Sequence, residues 1–194
     1  MSAQADYVQG SLLLQIARAS IASQFGVWFD CDEDARFLHE QRACFVTLRL
    51  AGQLRGCIGS LQAHRPLLED IKENARAAAF RDPRFQPLSA TEYTETLIEI
   101  SLLSALSAMD TTDEQDALSQ LQPGLDGIVL LCGKHRATFL PQVWESLPDP
   151  ARFLGELKRK AGLSTQFWSD DLRLFRYHVD KWAEEVTDAN ENTA

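Results

Sequence analysis

Leu54-Arg55-Gly56-Cys57-Ile58-Gly59-Ser60-Leu61 is the stretch that decides how this chain is read. Just upstream, Cys44, Val46, Leu48 and Leu50 alternate, and Ala51-Gly52 supplies a two-residue turn. The two runs therefore read as a β-hairpin, Cys44 to Leu50 and Leu54 to Leu61. Glycines inside a strand pack nothing and lose much backbone entropy, so they mark a bulge or a close backbone approach. Residues two apart on a strand share a face, which sets Arg55 beside Cys57, and a guanidinium next to a thiol favours the nucleophilic thiolate. A two-residue loop puts Leu50 opposite Gln53, Val46 opposite Cys57 and Cys44 opposite Gly59. Cys44 and Cys57 are then diagonal neighbours on one face, roughly 7 Å apart at Cβ, too far for an unstrained disulfide.

Outward from the hairpin, Val8, Leu12, Leu13, Ile16, Ala17 and Ile21 recur at helical spacing and predict a helix over 7–25, stopped by Gly26. Pro66 opens a second helix running to about Phe80, with Leu68, Ile71, Ala75 and Ala79 as its stripe and Pro83 as its stop. Leu97 to Leu103 alternates as a strand. Thr112-x-x-Gln115 reads as a capping box for a short helix ending near Leu121. Gly127–Cys132 and Ala137–Leu140 form a second hairpin around residues 133–136. Pro141 starts a short helix through Trp144, and Asp149-Pro150 caps another that reaches Lys160, with Gly162 past its end. Asp171 to Val179 is the last strand, and the polar tail over 186–194 reads as disordered. No linker divides these elements, so any subdomains share strands.

The formal net charge over 194 residues is −9, which argues against nucleic acid held on a broad basic surface. The first twenty residues lack the pattern of a secretory signal, and no apolar run approaches the roughly 20 residues that span a bilayer. A cytoplasmic protein with no membrane partner is expected. Cys31, Cys44, Cys57 and Cys132 are widely spaced, with no Cys-x-x-Cys pair. They read as free thiols in a reducing compartment, with no metal set and no cofactor motif.

Leu54-Arg55-Gly56-Cys57-Ile58-Gly59 (LRGCIG) resembles the hallmark hexapeptide of the AMMECR-type domain family, called AmmeMemoRadiSam system protein A in prokaryotes. Cys44–Leu48, Ala79–Phe85, Ile98–Ser101, Thr138–Trp144, Leu157–Leu163 and Phe175–Tyr177 are similar to further family segments. They follow the family order from about residue 10 to 183. One departure is Cys44, where family members often carry glycine before the phenylalanine. The resemblance implies an α/β (α+β) protein of two interlocked subdomains within a single domain over 7–183. Antiparallel-rich sheets are flanked by helices, with a cleft near Leu54–Gly59. It also implies a shared pathway with a Memo-like protein, itself similar to extradiol dioxygenases, and with a radical S-adenosylmethionine protein. It names neither substrate nor reaction.

Cys57 is the candidate catalytic thiolate, set against the ordinary behaviour of a free cysteine as a small buried hydrophobe. His64, seven residues on, is the nearest candidate base, though it also reads as a plain loop histidine. Arg55 is a candidate substrate contact, suited to bidentate binding of a carboxylate or phosphate; the bland alternative is an ion pair. Gly56 and Gly59 belong to the same substrate-binding set, with close packing as their simpler role. Arg81 is the last candidate contact, in an ionic corner with Asp82 and Arg84, where cations also complement a helix C-terminus. Asp82 and Glu99 become acidic partners only if folding brings them to the hairpin. Two functional classes follow: an enzyme or enzyme subunit working through Arg55 and Cys57, or a non-catalytic adaptor for the Memo-like and radical proteins. An adaptor is expected to show an exposed apolar patch.

Overall fold

The computed structural model describes residues 3–185; the tail expected over 186–194 lies outside them. Helix and antiparallel sheet alternate along the chain, as the hydrophobic periodicities predict. Residues up to Leu103, joined by those from Asp180 on, form one compact unit, and Ser104–Val179 a second.

In the first unit, helix α1 (Ala3–Ala22) ends through a 3-10 turn at Gly26, whose φ of 75° is left-handed. Strands β1 (Cys44–Leu50) and β2 (Gln53–Gly59) form the hairpin, followed by helix α2 (Leu67–Phe80), the short helix α3 (Ala90–Glu95) and strand β3 (Thr96–Leu103). The sheet order is β2-β1-β3-β8, with β8 (Val179–Ala183) arriving from the far end of the chain. Cys44, Val46 and Leu48 of β1 and Ile98, Ile100 and Leu102 of β3 face a core shared with α1 and α2. Each such aliphatic side chain contributes about 2 kcal/mol by leaving water. The returning chain is clasped by Glu184, which accepts from the Ile98 amide at 2.9 Å and from the Arg18 guanidinium.

In the second unit, β4 (Ser107–Ala108), β5 (Gly127–Cys132), β6 (His135–Phe139) and β7 (Arg173–Tyr177) form a sheet in the order β4-β7-β5-β6. Helices α4 (Glu114–Gln120) and α5 (Pro150–Lys160) complete it. Trp144 stacks on Phe153 with ring centroids 3.7 Å apart in the core of this unit.

Four local expectations change. The helix after Thr112 is capped by Asp113, whose carboxylate accepts from the Asp116 amide, not by a Thr112–Gln115 box. The second hairpin turns in two residues, Gly133-Lys134, because β6 begins at His135. The last strand breaks at His178, so β7 stays with β5 while β8 joins the first sheet. The first hairpin does turn at Ala51-Gly52 and sets Leu50 opposite Gln53, but the register slips between Leu48 and Arg49. Arg55 is the extra residue of that bulge, left without a cross-strand partner. Beyond it Thr47, not Val46, faces Cys57, and Phe45, not Cys44, faces Gly59. A one-residue slip exchanges the faces, so Cys44 and Cys57 lie on opposite sides of the sheet rather than as diagonal neighbours. All four cysteines are free.

Candidate functional site

β2 is an edge strand, and the segment after α2 covers its free side. The Cys57 amide donates to Asp82 Oδ2 at 2.9 Å, and the Cys57 carbonyl accepts from Arg84 Nη2 at 3.2 Å. Arg84 grips Asp82 with two nitrogens, Nε at 2.9 Å and Nη2 at 2.6 Å. Two side chains thus replace the strand that the edge lacks, answering both outward backbone groups of Cys57. Asp82 is buried, and its carboxyl is held well below the usual carboxylate range by Arg84 first, with the Cys57 and Arg84 amides adding to the effect against desolvation.

The Cys57 side chain points to the face away from the helices and is half-buried. Thr47, directly opposite, donates its hydroxyl to Cys57 Sγ at 3.2 Å. Thr47 is also directly opposite Glu99 on β3, so Cys57, Thr47 and Glu99 form one row across three strands. Glu99 pairs with Arg49.

Each residue singled out from the sequence has a definite place. Arg55 makes a fork-on-fork pair with Glu92 of α3, Nε at 2.9 Å and Nη2 at 3.1 Å, and Nη2 also donates to the Gln86 carbonyl at 2.9 Å. Its side chain is 12% exposed, and Nη1 is buried without a partner. Arg55 and the Ser89 capping interactions lower the Glu92 carboxyl to about 2. The guanidinium bonded to Cys57 is therefore Arg84's, while Arg55 is engaged elsewhere. Both stand over the Phe85 ring, the Arg55 guanidinium carbon 5.8 Å from its centroid and that of Arg84 5.4 Å. His64 is exposed, its Nδ1 2.9 Å from the Gln62 carbonyl, and no bond joins it to Cys57. Arg81 is exposed and paired with Glu73.

The two glycines have packing reasons. A Cβ on Gly56 would stand 2.2 Å from the Ala78 carbonyl oxygen, so β2 and α2 touch backbone to backbone there. A Cβ on Gly59 would stand 2.2 Å from the ring of Phe45, its partner across the hairpin.

At the other end of α2 is a network the sequence reading passed over. Asp70, fully buried, accepts on Oδ2 from the Cys44 amide (3.0 Å), Cys44 Sγ (3.3 Å) and Asn74 Nδ2 (3.0 Å). Its Oδ1 accepts from Ser60 Oγ (2.7 Å) and Arg65 Nε (2.8 Å). Burial first, then the Asp70 charge, pushes the Cys44 thiol well up. The missed signal was Asp70 and Asn74, four apart among Leu67, Ile71, Ala75 and Ala78: two polar residues on a buried stripe require partners. Among the described residues no three His, Cys, Asp or Glu side chains converge as a metal site, and no helix is long and apolar enough to cross a membrane.

The family model described as AMMECR1 matches residues 14–182. Protein MJ0810 of Methanocaldococcus jannaschii is 30% identical over 185 residues, covering 91% of this chain and 90% of that protein. Protein SSO0193 of Saccharolobus solfataricus is 36% identical over 178 residues, covering 87% of this chain and 78% of its own. The crystal structure of the uncharacterized protein PH0010 from Pyrococcus horikoshii superposes with a TM-score of 0.73 at 29% identity, covering 91% of both chains.

Proposed function

The chain belongs to the AMMECR1 family, and from that premise we propose that it is an enzyme or enzyme subunit whose working group is the Cys57 thiol. It would act in the cytoplasm with the Memo-like and radical S-adenosylmethionine proteins implied by the family resemblance. One observation carries this reading: Cys57, a partly buried residue, is held at its amide and carbonyl by Asp82 and Arg84 while its sulfur accepts the Thr47 hydroxyl. A backbone clamped by two charged side chains fixes the direction of the thiol, and orientation is what a nucleophile or carrier group needs. Arg55 supports the site by bracing β2 against α3 through Glu92.

Site-resolved alkylation with iodoacetamide tests the reading. Cys57 is expected to react ahead of Cys31 and Cys132, and Thr47→Val to change its rate by a few-fold, because one hydrogen bond to sulfur is worth about 1 kcal/mol. Slower labelling at Cys57 than at those two half-buried cysteines would falsify the thiol role.

A second reading, a non-catalytic adaptor for the same partners, is favoured by the consecutive exposed residues Val27, Trp28 (79% exposed) and Phe29. Complementation with a folded Cys57→Ala protein separates the two. An adaptor keeps full function; the enzyme reading requires its loss.

A further inference from the structure

We infer that the Cys57 site takes an anionic partner, a small carboxylate or phosphate compound, and that Arg84 with Arg81 selects it rather than Arg55. This rests on the thiol reading above and adds the class of molecule the thiol meets.

Arg55 of β2 and Arg84, which bonds the Cys57 carbonyl, differ in what they have left to offer. Arg55 is largely buried, its Nε and Nη2 holding Glu92 and the Gln86 carbonyl, and its unpartnered Nη1 is itself buried out of reach of solvent. Arg84 is 53% exposed. It bonds Asp82 and the Cys57 carbonyl through Nε and Nη2, and its Nη1 hydrogens take no acceptor among the described residues. Asp82 lies beneath it, with a side chain 2% exposed. Solvent therefore meets the guanidinium, not the carboxylate that fixes it. Phe85 lies against the Arg84 plane, limiting its swing.

Arg81 and Arg76 extend the positive surface. Both pair with the single carboxylate of Glu73. Arg76, Arg81 and Arg84 against Glu73 and Asp82 leave one net positive charge, an island in a chain of net charge −9. Cations after a helix complement its dipole, which explains their tolerance there, but that effect is satisfied within the last turn and does not require a guanidinium on the Cys57 carbonyl. An anion drawn to Arg84 Nη1 would be held by an oriented donor pair beside the sulfur.

The experiment compares iodoacetate with iodoacetamide at Cys57, resolved by peptide mapping; in both, thiolate displaces iodide and the thiol proton goes to solvent. Only the charge of the reagent differs. The iodoacetate-to-iodoacetamide rate ratio at Cys57 is expected to exceed that of glutathione several-fold at low salt. It should fall toward the glutathione value at about 0.5 M salt. Losing the exposed cation bonded to the Cys57 carbonyl should lower the ratio about threefold, in Arg84→Met, and losing Arg81, which pairs with Glu73 and makes no bond to Cys57, about 1.5-fold, in Arg81→Gln. Arg81→Gln leaves the clamp on Cys57 intact, so its effect is free of folding defects. A ratio at or below that of glutathione in the intact protein, or one that neither variant moves, overturns the anion inference while iodoacetamide labelling leaves the thiol role standing. Failure of iodoacetamide itself removes both.

Discussion

A cysteine, an aspartate and an arginine meet at each end of helix α2, and the two sets behave differently. At its first turn Asp70 accepts the Cys44 amide at 3.0 Å and is held by Arg65; past its last turn Asp82 accepts the Cys57 amide at 2.9 Å and is held by Arg84. Both aspartates tie the helix to the hairpin through a cysteine backbone. The sulfurs part company. Cys44 faces the core, bonds the same carboxylate and is driven toward the inert neutral thiol, whereas Cys57 faces the other side and takes a hydroxyl donor. Identical residue types give a fully buried cysteine in one place and a partly buried one in the other. Burial of the sulfur follows from the face of the sheet and not from the neighbours in sequence.

That contrast can be broken by measurement. Asp70→Asn should cost the most, about 3 kcal/mol in urea denaturation, because an amide cannot accept from all five donors and leaves Cys44, Ser60 and Arg65 groups unpaired inside. Gly56→Ala comes next, at about 2 kcal/mol, since the added methyl meets the Ala78 carbonyl of α2 and not a side chain that can rotate away. Asp82→Asn should cost only about 1 kcal/mol, as the exposed Arg84 returns to water. Equal losses at Asp70 and Asp82 would end the distinction between a sealed corner and an open one.

The smallest effect is in the pH dependence of the open corner. Glu92 has its carboxyl lowered to about 2 by Arg55 and by the Ser89 groups. A folded-state value below the unfolded one means that its stabilisation is complete above the unfolded value and disappears as the pH falls toward 2. The stability difference between the wild type and Glu92→Gln, measured by denaturation at several pH values, should therefore shrink between about pH 4 and pH 2. A difference that stays constant down to the lower limit would show that the Arg55–Glu92 pair is not what holds β2 to α3.

Much of the frame was legible beforehand, and the misses have physical causes. The hairpin strands, the Ala51-Gly52 turn, helix α2 from just after Pro66 to Phe80, and α5 between Asp149 and Gly162 all follow local rules of alternation, capping and stopping. Helix α3 went unread although Ser89-x-x-Glu92 is a capping box, because six residues are too few to show a helical stripe. Missing it hid Glu92 and so left Arg55 looking free. Asp82 and Arg84 were noticed as an ionic corner, but nothing local says that the corner lands on Cys57, some 25 residues earlier in the chain.

The residues alone determined that a glycine-bearing hairpin sits at the centre of an antiparallel-rich α/β chain of AMMECR type, with a thiol in its second strand. Period-two alternation and helix caps are short-range physics, readable within ten residues. Only the tertiary structure decided which sulfur is sealed and which guanidinium reaches Cys57. A single bulge at Arg55 turns the strand over without altering its composition, and ion pairs between distant segments form where packing brings them together.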